Sequence, residues 1–251
     1  MCRSKGICHR ERVDTVVRGI QKTSLVDFPG YISATIFVGG CNMRCPYCHN
    51  RDLVLETESL PAIPEEAVLT FLEKRRGLLD GICITGGEPT LQTDLMPFID
   101  RARALGLRIK LDTNGTNPAV LDELIEKSTV DYIAMDIKAP GDRYEEVTRS
   151  RVSLTNIEAS IRLIKESHID YEFRTTVAPG LIAEEDLIRI GRWLAGAKKY
   201  VLQQYAPGPT LDDAFSRRHP YSGTWLKDVA RKLEPFFERV EIRGISPALA
   251  V

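Results

Sequence analysis

Residues 32–50 read Ile32-Ser33-Ala34-Thr35-Ile36-Phe37-Val38-Gly39-Gly40-Cys41-Asn42-Met43-Arg44-Cys45-Pro46-Tyr47-Cys48-His49-Asn50. The first seven form a β-branched and aromatic run that fits a strand. Gly39-Gly40 ends it, and three thiols follow at once in a Cys-x3-Cys-x2-Cys pattern. Three thiols in so short a loop can take three corners of an iron–sulfur cube and leave the fourth iron without a protein ligand. Clusters that only carry electrons normally take four cysteines, so such an iron is open to a substrate or cofactor. Zinc accepts the same thiols plus His49 as a Cys3His set, although His49 sits directly beside Cys48 and zinc ligands are usually more widely spaced. A disulfide framework would need an oxidising compartment, to which nothing in the sequence points.

The chain has 251 residues, 43% apolar and 27% charged, which suits one large α/β barrel or two small domains with a real core. A net charge of −1 gives no electrostatic footprint for nucleic acid. No apolar stretch approaches the ~20 residues that span a bilayer. The basic start Met1-Cys2-Arg3-Ser4-Lys5 lacks the apolar run of a secretion signal, so a cytoplasmic protein is expected. Of the other cysteines, Cys83 lies in an apolar run and reads as a buried core thiol. Cys2 and Cys8, near His9, fall in an arginine-rich leader that reads as a flexible extension.

Strand and helix patterns then alternate. Strands are expected at 32–38, 81–85, 107–111, 132–137, 171–177, 200–204 and 239–242. Helices are expected at 64–79, 94–105, 118–127 (Asn117 as N-cap), 156–166, 183–194 and 225–233. About six βα units imply a parallel sheet with helices outside it, too few to close an eight-unit barrel. The expected fold is therefore α/β, an open, partial TIM barrel forming a single domain over 1–251. Within it, 1–15 reads as a leader, 16–205 as the barrel core and 206–251 as a C-terminal extension.

In such folds ligands collect at the carboxyl ends of strands. Here those ends carry the cysteine loop, Gly86-Gly87-Glu88-Pro89, Asp112-Thr113-Asn114-Gly115, Asp136-Ile137-Lys138, Arg174-Thr175-Thr176 and Gln203-Gln204-Tyr205. Taken singly, several of these have plainer readings as turns, an ion pair or a surface arginine. Their convergence on one end of the sheet favours a site.

The cysteine spacing, followed by Gly-Gly-Glu-Pro at the next strand end, resembles the signatures of the radical S-adenosylmethionine (SAM) enzymes. The opening Thr23–Gly30, with Asp27-Phe28-Pro29-Gly30, is similar to that of glycyl-radical-enzyme activating enzymes. So are Asp112–Gly115, Asp136–Lys138 and Arg174–Gly180. Within that group the Asp-Phe-Pro-Gly opening, Leu202–Gly208 and the ending Val240–Gly244 resemble the anaerobic ribonucleotide reductase activating proteins. The likeness spans roughly residues 15–245.

That resemblance implies a [4Fe–4S] cluster on Cys41, Cys45 and Cys48, with SAM chelating the fourth iron. Gly86, Gly87 and Glu88 would border the methionine moiety, and Asp112, Thr113 and Asn114 the SAM carboxylate, where a monovalent cation also binds in relatives. Arg174 would contact SAM, Tyr47 would lie near adenine, and Asp136 and Lys138 would face SAM and the incoming glycine. The implied activity is that of an oxidoreductase: reductive cleavage of SAM, then removal of a glycine α-hydrogen from a partner glycyl radical enzyme. Anaerobic ribonucleotide reductase is the implied partner, and flavodoxin or ferredoxin the implied electron donor. Phe28 stands where pyruvate formate-lyase activases carry a glycine, which points away from that branch. Residues 49–82 contain no cysteine, so a single cluster is expected. A small-molecule radical SAM enzyme resembling 7-carboxy-7-deazaguanine synthase is the alternative. The segment Ala206–Gly223 is expected to help dock the partner.

Overall fold

The computed structural model describes residues 17–245. The predicted leader, with Cys2, Cys8 and His9, lies outside the described residues. Eight strands form one sheet in chain order: β1 (Val17–Ser24), β2 (Ser33–Val38), β3 (Gly81–Gly86), β4 (Arg108–Thr113), β5 (Tyr132–Asp136), β6 (Asp170–Val177), β7 (Ala197–Gln204) and β8 (Phe237–Arg243). Strands β2 to β8 run parallel, and β1 pairs antiparallel with β2. β1 and β8 are the two edges of the sheet, so it is an open, partial barrel.

All seven expected strands are present with adjusted ends. β1 is additional, because Val17–Ser24 lacks a clean alternation; it is held by pairing such as Ile20 with Ile36 and Gln21 with Thr35. The helices are α1 (Arg51–Leu55), α2 (Glu65–Lys74), α3 (Leu95–Ala104), α4 (Pro118–Glu126), α5 (Tyr144–Thr148), α6 (Leu154–Glu166), α7 (Glu184–Trp193), α8 (Asp213–Ser216) and α9 (Gly223–Leu233). Too short for a periodic signal, α1, α5 and α8 escape sequence reasoning. Asn117 occupies the N-cap position of α4 but makes no capping bond; its amide donates to Thr90 O at 2.9 Å.

Period two divides the sheet into unlike faces. Ile36, Ile84, Leu111, Ile133, Phe173 and Leu202 are all fully buried in the apolar core shared with the helices, each contributing about 1.5–3 kcal/mol. The alternate positions carry Thr35, Cys83, Lys110, Asp112, Asp136, Glu172, Arg174 and Lys199. The inside of the barrel is thus charged. Phe28, buried against Tyr31 (centroids 4.9 Å) and Tyr132 (6.2 Å), adds an apolar plug from the β1–β2 connection.

Deepest among the inner charges is Glu172, fully buried. It accepts two bonds from Arg243 at 2.6 and 2.7 Å, one from the Tyr132 hydroxyl at 2.8 Å, and pairs with Lys199 at 3.2 Å. Burial pushes this carboxyl up, but the Arg243 hydrogen bonds and the Arg174 and Arg243 charges hold it down at about 2. Its ionisation therefore stabilises the fold fully above the unfolded value of about 4.3 and is lost as pH falls through about 2. Glu172→Gln leaves Lys199 and Arg243 to share Glu241 alone, so urea denaturation at neutral pH is expected to show a loss of about 3 kcal/mol. The gap from the parent protein should narrow as the pH is lowered from about 4.

Candidate active site

At the carboxyl end of the sheet, the loop after β2 folds over the ends of β3, β4 and β5. The thiols of Cys41, Cys45 and Cys48 line one cavity of about 240 Å³. Tyr47, Gly86, Gly87, Glu88, Asp112, Thr113, Asn114, Asp136 and Lys138 line the same cavity. Of the strand-end residues singled out in the sequence, Arg174 and the β7 end Gln203-Gln204-Tyr205 do not; Arg174 stands behind the wall, bonded to two residues that do.

The loop is fastened at several points. Arg44 N donates to Thr148 O at 2.9 Å, and the Arg44 guanidinium to Cys41 O and Met43 O. Asn50 Nδ2 donates to Gly86 O at 2.8 Å. Asn114 Nδ2 donates to Asn42 Oδ1 at 2.9 Å and lies 3.9 Å from Cys41 Sγ.

Gly86 and Gly87 press against the start of this loop. Gly87 N donates to Val38 O at 2.9 Å and Glu88 N to Gly40 O at 2.7 Å. A Cβ on Gly87 would lie 1.8 Å from Gly40 O, and Gly86 has φ +118. No side chain fits at the first, and only glycine is at ease at the second. Those amides are already committed to the loop, and toward an amino group, itself a donor, the turn presents its carbonyls as acceptors.

Glu88 is the fixed point of the site. It is 1% exposed, and its carboxylate accepts from Thr90 N, Thr90 Oγ1, Thr113 Oγ1 and Asn114 N at 3.1, 2.6, 2.7 and 2.6 Å. Burial raises its pKa despite those donors. The carboxylate is consumed in holding two strand ends together.

Below the cavity floor a ladder of alternating charge crosses the sheet. Lys110, 1% exposed, pairs with Asp112 Oδ1, and Arg174 Nη1 reaches Asp112 Oδ2 at 3.1 Å. Arg174 Nε donates to Asp136 Oδ1 at 2.8 Å, and Lys138 Nζ to Asp136 Oδ2 at 2.9 Å. Burial would raise Asp136, but Arg174 and Lys138 overrule it and hold the carboxyl well below its usual range. Asp136 and Lys138 are thus an ion pair and also cavity lining. Lys110, Glu172, Lys199 and Arg243 were missed by sequence reasoning. The signal was there: Lys110-x-Asp112, Glu172-x-Arg174 and Glu241-x-Arg243 put charges on one face of strands whose other face is apolar.

Three thiols facing one cavity match three corners of an iron–sulfur cube. His49 Nδ1 lies 3.0 Å from Pro209 O, and its ring stacks on Tyr205. Among the described residues, no three His, Cys, Asp or Glu side chains are grouped as ligands of a single metal ion. Burial pushes the Cys45 thiol up to about 11, and Lys138 pulls it back only in part. Binding of a metal centre at Cys45 would displace that proton. Tyr47 adds a buried hydroxyl that makes no hydrogen bond within the protein, at the edge of the same cavity.

Comparison with known proteins supplies the remaining finding. The model of the radical SAM superfamily matches residues 35–193. A candidate glycyl-radical enzyme activating enzyme of Methanocaldococcus jannaschii is 35% identical over 236 residues, covering 92% of this chain and 97% of that protein. The pyruvate formate-lyase-activating enzyme of Streptococcus mutans is 29% identical over 215 residues, covering 81% of each. In structure, Streptococcus suis SuiB bound to S-adenosylmethionine superposes with a TM-score of 0.63 at 15% identity, over 81% of this chain and 48% of that one. The present chain thus spans about half the length of that solved protein.

Substituting Gly87→Ala should push Gly40 and the cysteine loop off the β3 end while leaving the apolar core intact. Thiol alkylation of the metal-free protein, mapped by mass spectrometry, is expected to run several-fold faster at Cys41 and Cys45, with Cys83 unchanged.

Proposed function

This chain belongs to the radical SAM superfamily, and on that premise we propose that it activates a glycyl radical enzyme by removing an α-hydrogen from a glycine of that partner. It is a radical SAM enzyme and an oxidoreductase. The observation that carries the finer reading is the relationship to activating enzymes across nearly the whole chain, together with a charged barrel interior behind the cavity.

Cys41, Cys45 and Cys48 would hold a [4Fe–4S] cluster, with SAM beside it. When bound, these groups would supply one electron to a sulfonium and the radical chemistry that takes a hydrogen atom. The chain's own residues would bind, orient and exclude water. The carbonyls of the Gly86-Gly87 turn would accept from the amino group of SAM. Asn114, Thr113 and the Lys110-paired Asp112 would surround its carboxylate, and a monovalent cation there would share Asp112 with Lys110. Tyr47 would sit by the nucleoside. Arg174 would hold Asp112 and Asp136 at fixed separation, so the reacting groups meet a preorganised wall. Asp136 and Lys138 would face the incoming glycine, and the gap between β8 and β1 would admit it.

For the partner we favour anaerobic ribonucleotide reductase, because Leu202–Gly208 and Val240–Gly244 resemble its activating proteins. Flavodoxin or ferredoxin would deliver the electron. Among the described residues no helix is long and apolar enough to cross a membrane.

The test is anaerobic reconstitution with iron and sulfide, reduction, and mixing with SAM and ribonucleotide reductase. A persistent glycyl radical in the electron paramagnetic resonance spectrum is expected. Cys45→Ala should lose both the brown chromophore and SAM cleavage. Asp136→Asn should keep the chromophore and lose radical yield by at least about tenfold. SAM cleavage that modifies a small molecule and leaves no protein radical would favour the deazaguanine-type alternative.

A further inference from the structure

Two backbone amides from late in the chain donate to carbonyls of the cysteine loop. Leu211 N reaches Cys48 O at 2.8 Å, and Asp212 N reaches Pro46 O at 2.9 Å. Side chains flank the pair: Pro209 O lies 3.0 Å from His49 Nδ1, the His49 ring stacks on Tyr205 at 6.0 Å, and Arg149 binds Asp212 at 2.7 Å.

The donating segment is itself stiff. Thr210 is fully buried, and its hydroxyl donates to Asp212 O at 2.8 Å. The Asp212 side chain caps α8 by accepting from Ala214 N. Buried Phe215 packs into the core, and its carbonyl accepts from the Tyr205 hydroxyl. Ala206–Gly223 is therefore no free arm: its first half lies bonded along the cysteine loop.

The turn Cys45–Cys48 has little of its own to hold it. Pro46 has no N–H, and the turn closes with one bond, Cys48 N to Cys45 O at 3.0 Å. The Pro46 and Cys48 carbonyls are met from outside by Leu211 and Asp212.

We propose that residues 205–216 form a strap whose Leu211 and Asp212 amides are positioning groups for the Cys45–Cys48 turn, keeping both thiols where a cluster needs them and slowing its loss. This rests on the reading of Cys41, Cys45 and Cys48 as cluster ligands. Loss of one such hydrogen bond makes the open loop about tenfold more populated. Iron then leaves through that open form.

The protein is reconstituted anaerobically, and iron extraction by a chelator is followed by absorbance, with no turnover required. Leu211→Pro removes the donor and is expected to lose iron about tenfold faster than the parent protein. Leu211→Ala keeps the amide and should stay within about twofold. Leu124→Ala, a core truncation in α4 that destabilises away from the loop, should extract at the parent's rate. Parent-like extraction from Leu211→Pro overturns the proposal. So does equally fast loss from Leu124→Ala, which would make the effect global. Should Leu211→Pro fail to fold, Arg149→Met, at a half-exposed ion pair, is expected to speed extraction a few-fold, and no change there also overturns it. A parent protein that takes up no iron overturns the cluster reading itself and the strap with it.

Discussion

The cavity exists because one buried carboxylate, Glu88, accepts four hydrogen bonds from the ends of β3 and β4 while its own amide holds Gly40. Taking a carboxylate out of water costs several kcal/mol, and about 1.5–3 kcal/mol comes back for each bond to it. Burial still outweighs the four donors here, so losing any one leaves the charge further under-solvated. Everything on the cavity rim inherits that position. Asn114, held by its amide to Glu88, reaches across to Asn42, and the Gly86 carbonyl anchors Asn50. The cysteine loop is placed by what it leans on, because its own sequence supplies few internal bonds.

A barrel normally fills its interior with branched apolar side chains. This one fills it with charge. Lys110, Asp112, Arg174, Asp136 and Lys138 neutralise one another in sequence across the floor, and Glu172, Lys199, Arg243 and Glu241 do so beside them. Replacing such a network with well-packed apolar residues commonly costs nothing in stability. Its presence is better explained by what the interior must receive: a polar, charged ligand cannot be seated against leucine without losing its hydration uncompensated. An interior of fixed opposite charges solvates it in advance.

The parallel strands and longer helices were legible because apolar alternation and helical period are strong over those stretches. Cys83, read as a core thiol, is fully buried. The cavity lining was legible too, because each strand ends in residues that a buried terminus cannot tolerate without a purpose. The remainder was not. β1 is a strand only by virtue of β2, and no local pattern declares it. Nothing in Gly86-Gly87 says that the crowding neighbour is a Gly40 carbonyl rather than a ligand. Lys110 and Glu172 share a strand face with Asp112 and Arg174, a pattern the sequence carries, but only pairing in the fold turns that face into the barrel. The contact of Leu211 with Cys48 joins segments with no common motif, so only the tertiary fold reveals it.

These layers differ in how firmly they fix the thiols. Cys41 follows directly on β2, and its carbonyl is held by Arg44 and its neighbour Asn42 by Asn114. Cys45 and Cys48 sit on a turn whose outer carbonyls face away from the sheet, toward the strap. On the proposed cluster reading, a rigidly placed Cys41 and a turn clamped from the opposite side would suit a site that assembles around an inserted group and then retains it. Were all three thiols rooted in the sheet, insertion would require opening the core; were none clamped, the group would leave as readily as it arrived. The division of support between β2 and a late segment of the chain resolves both demands with a handful of main-chain bonds.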